Sequence, residues 1–328
     1  MNTSWRPPGP SNPAQHRRSA PRRIPVLDIG GTHVTSALIS DGFVVEQHRG
    51  DLDSASSCPE LIAQILAVAS ELRGVEDGAM WGIAMPGPFR YAEGIGDFRG
   101  VDKFHAFRGV DVGSELMSKL PRSPRSIRFV NDAEAYALGE WNAHGRPDRL
   151  ICITLGTGTG SGFIAAGRPV RTGPEVPRGG DLHTETWRGQ PLEETVSRRA
   201  IRRQFTKRSG IADDVDGITQ RCRAGDPLAC EVLDEAMDAL GTVLGQWVNR
   251  FSAECVIVGG SMSLSWDVLG PRLGSALSRN CARHPVCSPS LLMDTAPLLG
   301  AAMVAGDAHP LGHTQHRSDD VREKEIPT

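Results

Sequence analysis

The 328-residue sequence predicts an α/β chain of two similar lobes that face one cleft. Two observations carry this. A β-branched apolar run at 151–155 enters Gly156-Thr157-Gly158-Thr159-Gly160, and a second strand-like run, 163–166, leaves it. The design repeats near the N-terminus, where the run 24–29 enters Gly30-Gly31-Thr32 and the run 34–39 leaves. A chain of this length can bury a separate core in each lobe.

A tip of glycines and threonines suits an anion. Glycine tolerates φ > 0 and has no Cβ, so backbone N–H groups can converge while hydroxyls add donors. Neither tip has the lysine and strand-to-helix exit of a Walker loop, or the spacing of a dinucleotide-binding turn. One such hairpin alone reads as a tight structural turn. Two of them, over a hundred residues apart, read as two halves of a polyphosphate site. The first adds Asp28 at the end of its strand, a hard oxygen ligand suited to Mg²⁺ directly or through water.

Taken in order, residues 1–23 hold five arginines, five prolines and no acid, the composition of a disordered basic arm. A three-stranded meander follows at 26–29, 34–39 and 43–47, with Asp41-Gly42 as its hairpin turn. Leu61, Ile62, Ile65, Leu66, Val68, Ala69 and Leu72 recur at helical spacing behind Pro59. The strand 80–85 ends in Pro86-Gly87-Pro88, which on its own reads as a plain turn. The short strand 127–130 delivers Asn131-Asp132 to its C-terminal end, directly before a helix at about 133–141. Sheets of this class place ligand groups there, although an Asn-Asp pair also serves simply as a helix cap.

Beyond the central hairpin, residues 198–208 carry six basic side chains at the spacing of one solvated helix side. Asp226 and Pro227 then open a long helix with an apolar stripe from Leu228 to Phe251, which reads as core or oligomer interface. Gly259-Gly260 follow a buried strand, where a flat ring can approach the backbone. A small-residue helix at 296–305 and a mixed-charge tail from 307 to 328 complete the chain.

A net charge of -3 and a pI near 6.4 give no global reason to expect nucleic acid. No apolar run approaches the ~18 residues of a membrane span, and no secretory leader is visible, so a cytoplasmic chain is expected. The seven cysteines include no C-x-x-C pair, which fits reduced residues such as Cys152 and Cys255 in core strands.

Asp28-x-Gly-Gly-Thr32, Met85-Pro86-Gly87-Pro88, Asn131-Asp132-Ala133-Glu134-Ala135 with Gly139-Glu140, Leu155-Gly156-Thr157-Gly158-x-Gly160, Val258-Gly259-Gly260 and Leu299-Gly300-Ala301-Ala302 follow one another in this order. The series resembles the ordered motifs of the ROK family of repressors, open reading frames and sugar kinases, from about residue 24 to about 306. That family belongs to the actin-like, hexokinase-like ATPases. The resemblance implies a two-lobed actin-like, ribonuclease H-like fold, each lobe a mixed sheet flanked by helices, with the active site in the cleft. It divides the chain into the arm 1–23, a small lobe 24–130, a large lobe 131–306 whose last helix packs back on the small lobe, and the tail 307–328.

The resemblance further implies an ATP- and Mg²⁺-dependent kinase acting on a hydroxyl, usually primary, of a sugar or sugar-like cyclitol. Asp132 is then the catalytic base, and Asn131, Pro86, Gly87, His183 and Glu193 border the acceptor. Asp28, Gly30, Gly31 and Thr32 with Gly156, Thr157, Gly158, Thr159 and Gly160 hold the phosphates and metal, and Gly259 and Gly260 lie against the adenosine. The arm is too short for the helix-turn-helix domain of the repressor branch, so no nucleic-acid partner is expected. Dimers are common in the family, so the resemblance admits a homodimer, although no residue specifies one. A sugar sensor without turnover, and an acceptor-independent nucleotide hydrolase, are the competing readings.

Three departures bear on the acceptor. Lys103 stands where many family sugar kinases have asparagine. The family's Glu-x-Gly-His becomes Gly180-Asp181-Leu182-His183, and the cysteines of its zinc site are missing between Cys152 and Cys222. They point away from glucose or N-acetylmannosamine, the family's common acceptors, and toward a less standard one such as a C7-cyclitol.

Overall fold

The computed structural model describes residues 22–101 and 103–306. The disordered arm and tail expected from composition lie outside these residues, except for Arg22 and Arg23. Strands β1 (Arg23–Ile29), β2 (His33–Ser40) and β3 (Phe43–Asp51) form the antiparallel meander. Asp41 and Gly42, with φ of 52° and 81°, make the turn between β2 and β3. Helix α1 (Cys58–Ala69) opens on a Ser57/Glu60 capping box with proline in its first turn, so two backbone donors are satisfied at once.

Next come β4 (Met80–Met85), the short ladder of β5 (Phe89–Arg90) with β6 (Ile95–Gly96), α2 (Val112–Lys119) and β7 (Ser126–Asn131). The first sheet has the order β3-β2-β1-β4-β7, with β4 parallel to β1 and to β7. Helix α3 (Asp132–Ala143) leads to the second sheet.

That sheet begins with β8 (Arg149–Leu155), β9 (Thr159–Ala165) and β10 (Arg168–Pro169). A small hairpin of β11 (Thr186–Trp187) and β12 (Gln190–Pro191) fills the stretch where the family's cysteine cluster would fall. Four helices follow: α4 (Glu193–Val196), α5 (Arg198–Ser209), α6 (Val215–Arg223) and α7 (Pro227–Phe251). The chain then runs through β13 (Cys255–Gly259), α8 (Trp266–Asn280), β14 (Val286–Pro289) and α9 (Ala296–Gly306). The order of the second sheet is β10-β9-β8-β13-β14. Both sheets therefore run third, second, first, fourth, fifth in their own chain order, the same unit built twice.

Each sheet buries its outer face against its own helices. Leu27, Ile29, Ile83 and Phe129 pack with α1 and α2, while Ile151, Ile153 and Leu155 pack with the stripe of α7. The inner faces share a third core, in which Val26, Ala84 and Val130 of the first sheet meet Leu150, Cys152 and Ile257 of the second through α3 and α9. Strand alternation produces this split, because successive residues point to opposite faces.

The helix pair at the centre packs backbone against backbone. A Cβ at Gly139 would lie 2.2 Å from the Ala296 carbonyl oxygen, and one at Gly300 only 1.8 Å from that of Ala135. Gly82 of β4 meets the Ala301 carbonyl in the same way, at 2.1 Å. Glycine is required at these positions by proximity, since no flexible side chain can step aside.

Two features differ from the sequence reading or sharpen it. Cys222 and Cys230 form a disulfide between the end of α6 and the start of α7, their Cα atoms 4.8 Å apart, whereas the reading treated the cysteines as reduced. Their spacing follows no motif, and the helical turn at Gly225 and Asp226 is what brings them together. The basic stripe of α5 is neutralised by neighbours: Arg198 and Arg202 face Asp214, Arg199 and Arg203 face Glu194, and Arg208 faces Glu231 and Glu235. Among the described residues, no helix is long and apolar enough to cross a membrane.

Substituting Gly300 by alanine should cost about 1–3 kcal/mol, because the new methyl meets fixed backbone. Denaturant midpoints of Gly300→Ala and of Gly274→Ala, where a Cβ meets nothing within 4 Å, give the comparison. Equal midpoints would contradict the close packing.

Candidate active site

Alternation along β1 decides where Asp28 points. Leu27 and Ile29 belong to the outer core, so Asp28 shares the inner face with Val26. On the neighbouring parallel strands the inner face carries Ala84 and Val130, and Asp132 follows directly from the end of β7. The two carboxylates sense one another. Burial, the charge of Asp132 and that of Asp294 together push the Asp28 pKa up to about 7, against an opposing pull from Arg49. Burial likewise raises the Asp132 pKa, opposed by the Ala133 N–H and by the charge of Lys103.

Asn131, rather than Asp132, is the helix cap. Its Oδ1 accepts from the N–H groups of Ala133 and Glu134 at 3.0 and 3.2 Å, while its Nδ2 donates to the Tyr91 hydroxyl at 3.0 Å. Tyr91 in turn donates to the Met85 carbonyl at 3.2 Å, which holds the Pro86-Gly87-Pro88 turn against β7. Asp132 Oδ1 accepts from the Ala133 N–H at 2.9 Å, and among the described residues no other side chain hydrogen-bonds its carboxylate.

The two tips are built alike. In the first, the Gly30 N–H donates to the His33 carbonyl at 2.9 Å, and the Thr32 hydroxyl lies 3.2 Å from His33 Nδ1. In the second, the Gly156 N–H donates to the Gly158 carbonyl at 3.0 Å, and the Gly156 carbonyl accepts from the Arg198 N–H at 2.9 Å. Among the described residues, the N–H groups of Gly31, Thr32, Thr157 and Gly158 have no backbone acceptor. The Thr159 hydroxyl is buried with no hydrogen-bond partner. An orphaned buried hydroxyl costs about 1–3 kcal/mol, so a ligand atom at this tip would relieve it.

Glu193 stands at the second tip, where its Oε1 accepts from the Thr159 N–H at 3.0 Å. His183 sits on a loop tied to β9 through Ser161, whose hydroxyl donates to the Gly180 carbonyl at 2.6 Å and accepts from the Leu182 N–H at 2.9 Å. Gly179 and Gly180 both adopt positive φ, 74° and 79°. A glutamate at Gly180 would be strained, so the turn itself differs from one that carries Glu-x-Gly-His.

The sequence reading missed a partly buried ion pair beside Asp132. Arg171 grips Glu134 with both arms, and its guanidinium lies 5.0 Å from the centre of the Tyr91 ring. Its partners lie 37 and 80 positions away in the chain, so no local signal announced it. A second acid at Glu134, two residues after Asp132 in the first turn of α3, was the available hint.

At the turn after β13, Gly260 has φ 78°, and a Cβ there would lie 2.4 Å from the Leu155 carbonyl oxygen. Gly259 leaves the same room for the Tyr136 hydroxyl, which donates to Ser290 Oγ at 2.8 Å. Ser290 donates on to Glu140 Oε1 at 2.5 Å, and Glu140 also accepts from the N–H groups of Leu291 and Leu292. Glu140 thus ties α3 to the loop before α9, which gives a physical role to the Gly139-Glu140 pair. A groove of about 760 Å³ lies elsewhere, between α7 and α8, and its acids and arginines pair with each other.

Residues 25–308 match the model of the ROK family. The chain belongs to that family. It is 28% identical over 311 residues to a glucokinase of Thermotoga maritima, covering 85% of this chain and 95% of the relative. It is 24% identical over 298 residues to a kanosamine kinase of Amycolatopsis mediterranei, covering 85% and 95%. Among solved structures, the ROK hexokinase of Thermus thermophilus superposes with a TM-score of 0.71 at 24% identity, covering 86% of this chain and 97% of that one. The actin-like ATPase fold read from the motifs is therefore the fold of this chain.

The raised Asp28 pKa makes a stability prediction. An unfolded aspartate ionises near pH 4, whereas in the folded protein ionisation waits until about 7. Native stability therefore falls as pH rises between these values, and the full cost is present above 7. Without divalent cations, Asp28→Asn should be more stable than wild type at pH 8, on the order of 2 kcal/mol after solvent screening. Thermal melts at pH 8 and pH 4 measure the gap, which should close at the lower pH. A variant less stable than wild type at pH 8 would contradict the assigned environment.

Proposed function

We propose that this chain transfers the terminal phosphoryl group of ATP to a hydroxyl of a sugar or a sugar-like cyclitol. The observation that carries the reading is Asp132: a carboxylate relieved of capping duty by Asn131, with a raised pKa, in one cleft with Asp28 and both tips. Known relatives support the class, being glucokinase, N-acetyl-D-glucosamine kinase and N-acetylmannosamine kinase.

In this reading the tips hold the phosphates through N–H groups that have no backbone acceptor among the described residues and through the Thr159 hydroxyl, and the Gly259-Gly260 turn after β13 lies against the adenosine. Asp28 fits a hard divalent cation, because no protein donor occupies its carboxylate among the described residues and its charge lacks a fixed partner. Bound there, Mg²⁺ supplies charge neutralisation for the phosphates. Asp132 orients the acceptor hydroxyl in line and takes its proton as the acceptor oxygen bonds to phosphorus. The bond from that phosphorus to the bridging oxygen breaks, and ADP leaves with the electron pair. The transition state is loose, so positioning contributes more than basicity.

The acceptor side favours a sugar-like ring of non-standard pattern. Tyr91, the Glu134–Arg171 pair and the His183 loop form the wall beside Asp132, and the loop's two left-handed glycines replace a glutamate-bearing turn. A C7-cyclitol is the acceptor class that these departures favour over glucose. Chain termini 1–21 and 307–328 play no part in this assignment.

ADP release with Mg-ATP against hexoses, amino sugars and C7-cyclitols tests the reading. Asp132→Asn should lower kcat by ~10²–10⁴-fold with little change in acceptor KM. The raised Asp132 pKa places the acid limb of kcat/KM above the usual carboxylate range, since the base must be ionised to accept a proton. Ligand binding without any acceptor-dependent ADP release would replace the kinase by a sugar sensor.

A further inference from the structure

Lys103 lies on the strap between β6 and α2, next to Phe104, whose backbone is left-handed (φ 58°). Phe104 is fully buried, stacked on Phe107 at 5.9 Å and tilted against Phe98 at 5.3 Å, and its N–H donates to the Ser54 carbonyl at 2.9 Å. The lysine therefore projects from an anchored point. Its stem runs along Gly31: the position of a Gly31 Cβ is 2.8 Å from Lys103 Nζ and 3.0 Å from both Cδ and Cε. On its other side the ammonium acts on Asp132, whose carboxylate it stabilises against burial. Among the described residues, no carboxylate lies within salt-bridge distance of Lys103. An unpaired cation thus stands between the first tip and the base, on the path from phosphate to acceptor.

We infer that Lys103 is a catalytic cation of the phosphoryl transfer, donating hydrogen bonds to the terminal phosphate oxygens while Asp132 holds the acceptor. The assignment rests on the kinase reading above. The lysine acts through hydrogen bonds and forms no covalent bond. Its contribution grows as charge spreads over the transferred group, which is where fixed cations accelerate this chemistry. The same geometry explains the second glycine of the tip. Gly31 has no positive φ, so alanine would be tolerated by the backbone, yet its methyl would displace the lysine.

The test compares wild type with Lys103→Met, Lys103→Arg and Gly31→Ala, using two readouts. The first is binding of ADP and of a non-hydrolysable ATP analogue with Mg²⁺. The second is acceptor-dependent ADP release. Lys103→Met should weaken the analogue ~10-fold or more while ADP changes little, because only the analogue carries the terminal phosphate. Its kcat should fall ~10²–10³-fold with acceptor KM nearly unchanged. Lys103→Arg should recover part of the loss. Gly31→Ala should resemble Lys103→Met, and the two together should cost little more than either alone.

Equal loss of ADP and analogue would overturn the assignment, as would a raised acceptor KM with kcat intact, which would make Lys103 an acceptor contact. A Lys103→Met enzyme indistinguishable from wild type would overturn it while leaving the kinase reading standing. Failure of wild type to bind either nucleotide would remove the kinase reading and this assignment together.

Discussion

Backbone packs on backbone where α3 crosses α9, and the rest of the molecule hangs on that contact. Gly139 and Gly300 bring each helix against a carbonyl of the other, and Gly82 admits α9 equally closely to β4. Glu140, fully buried, reinforces the crossing by binding two N–H groups and a hydroxyl of the loop that leads into α9. Because α3 starts at Asp132 beside the first sheet and α9 packs against both α3 and β4, the crossing sets the distance between the two sheets. Each sheet repeats one strand order, so a rigid spacer between them is enough to aim both glycine tips at one space.

That space concentrates like charge. Asp28 and Asp132 face the same cleft, with Asp294 close enough to raise Asp28 further. A stable apo protein tolerates this because Arg49 and Lys103 oppose the acids and because Asp28 keeps its proton near neutrality. The neighbouring acid Glu134, by contrast, is neutralised by Arg171.

Much of this was legible in the sequence because it rests on local rules. Gly30-Gly31-Thr32 and the glycine-threonine tip after Leu155 follow from strand and turn chemistry, and Asp41-Gly42 and the Asp226-Pro227 start are as local. The Asn-Asp pair was read to the right place but divided into roles only by the structure, since either side chain can cap a helix. What escaped notice is non-local. Tyr91 meets Asn131 across 40 positions, Arg171 meets Glu134 across 37, and Glu193 reaches the second tip across 34. Cys222 and Cys230 escaped for another reason: their meeting depends on the angle between two helices, which no spacing encodes.

The central claim is that two tips, from two copies of one strand unit, grip one nucleotide beside Asp132. A crystal structure with a non-hydrolysable ATP analogue and Mg²⁺ tests it most directly. The account predicts phosphate oxygens within hydrogen-bond distance of N–H groups in both the Gly30-Gly31-Thr32 and the Thr157-Gly158-Thr159 tips, with Asp28 turned to the metal. Phosphates held by one tip alone, or a nucleotide seated away from Asp132, would contradict it.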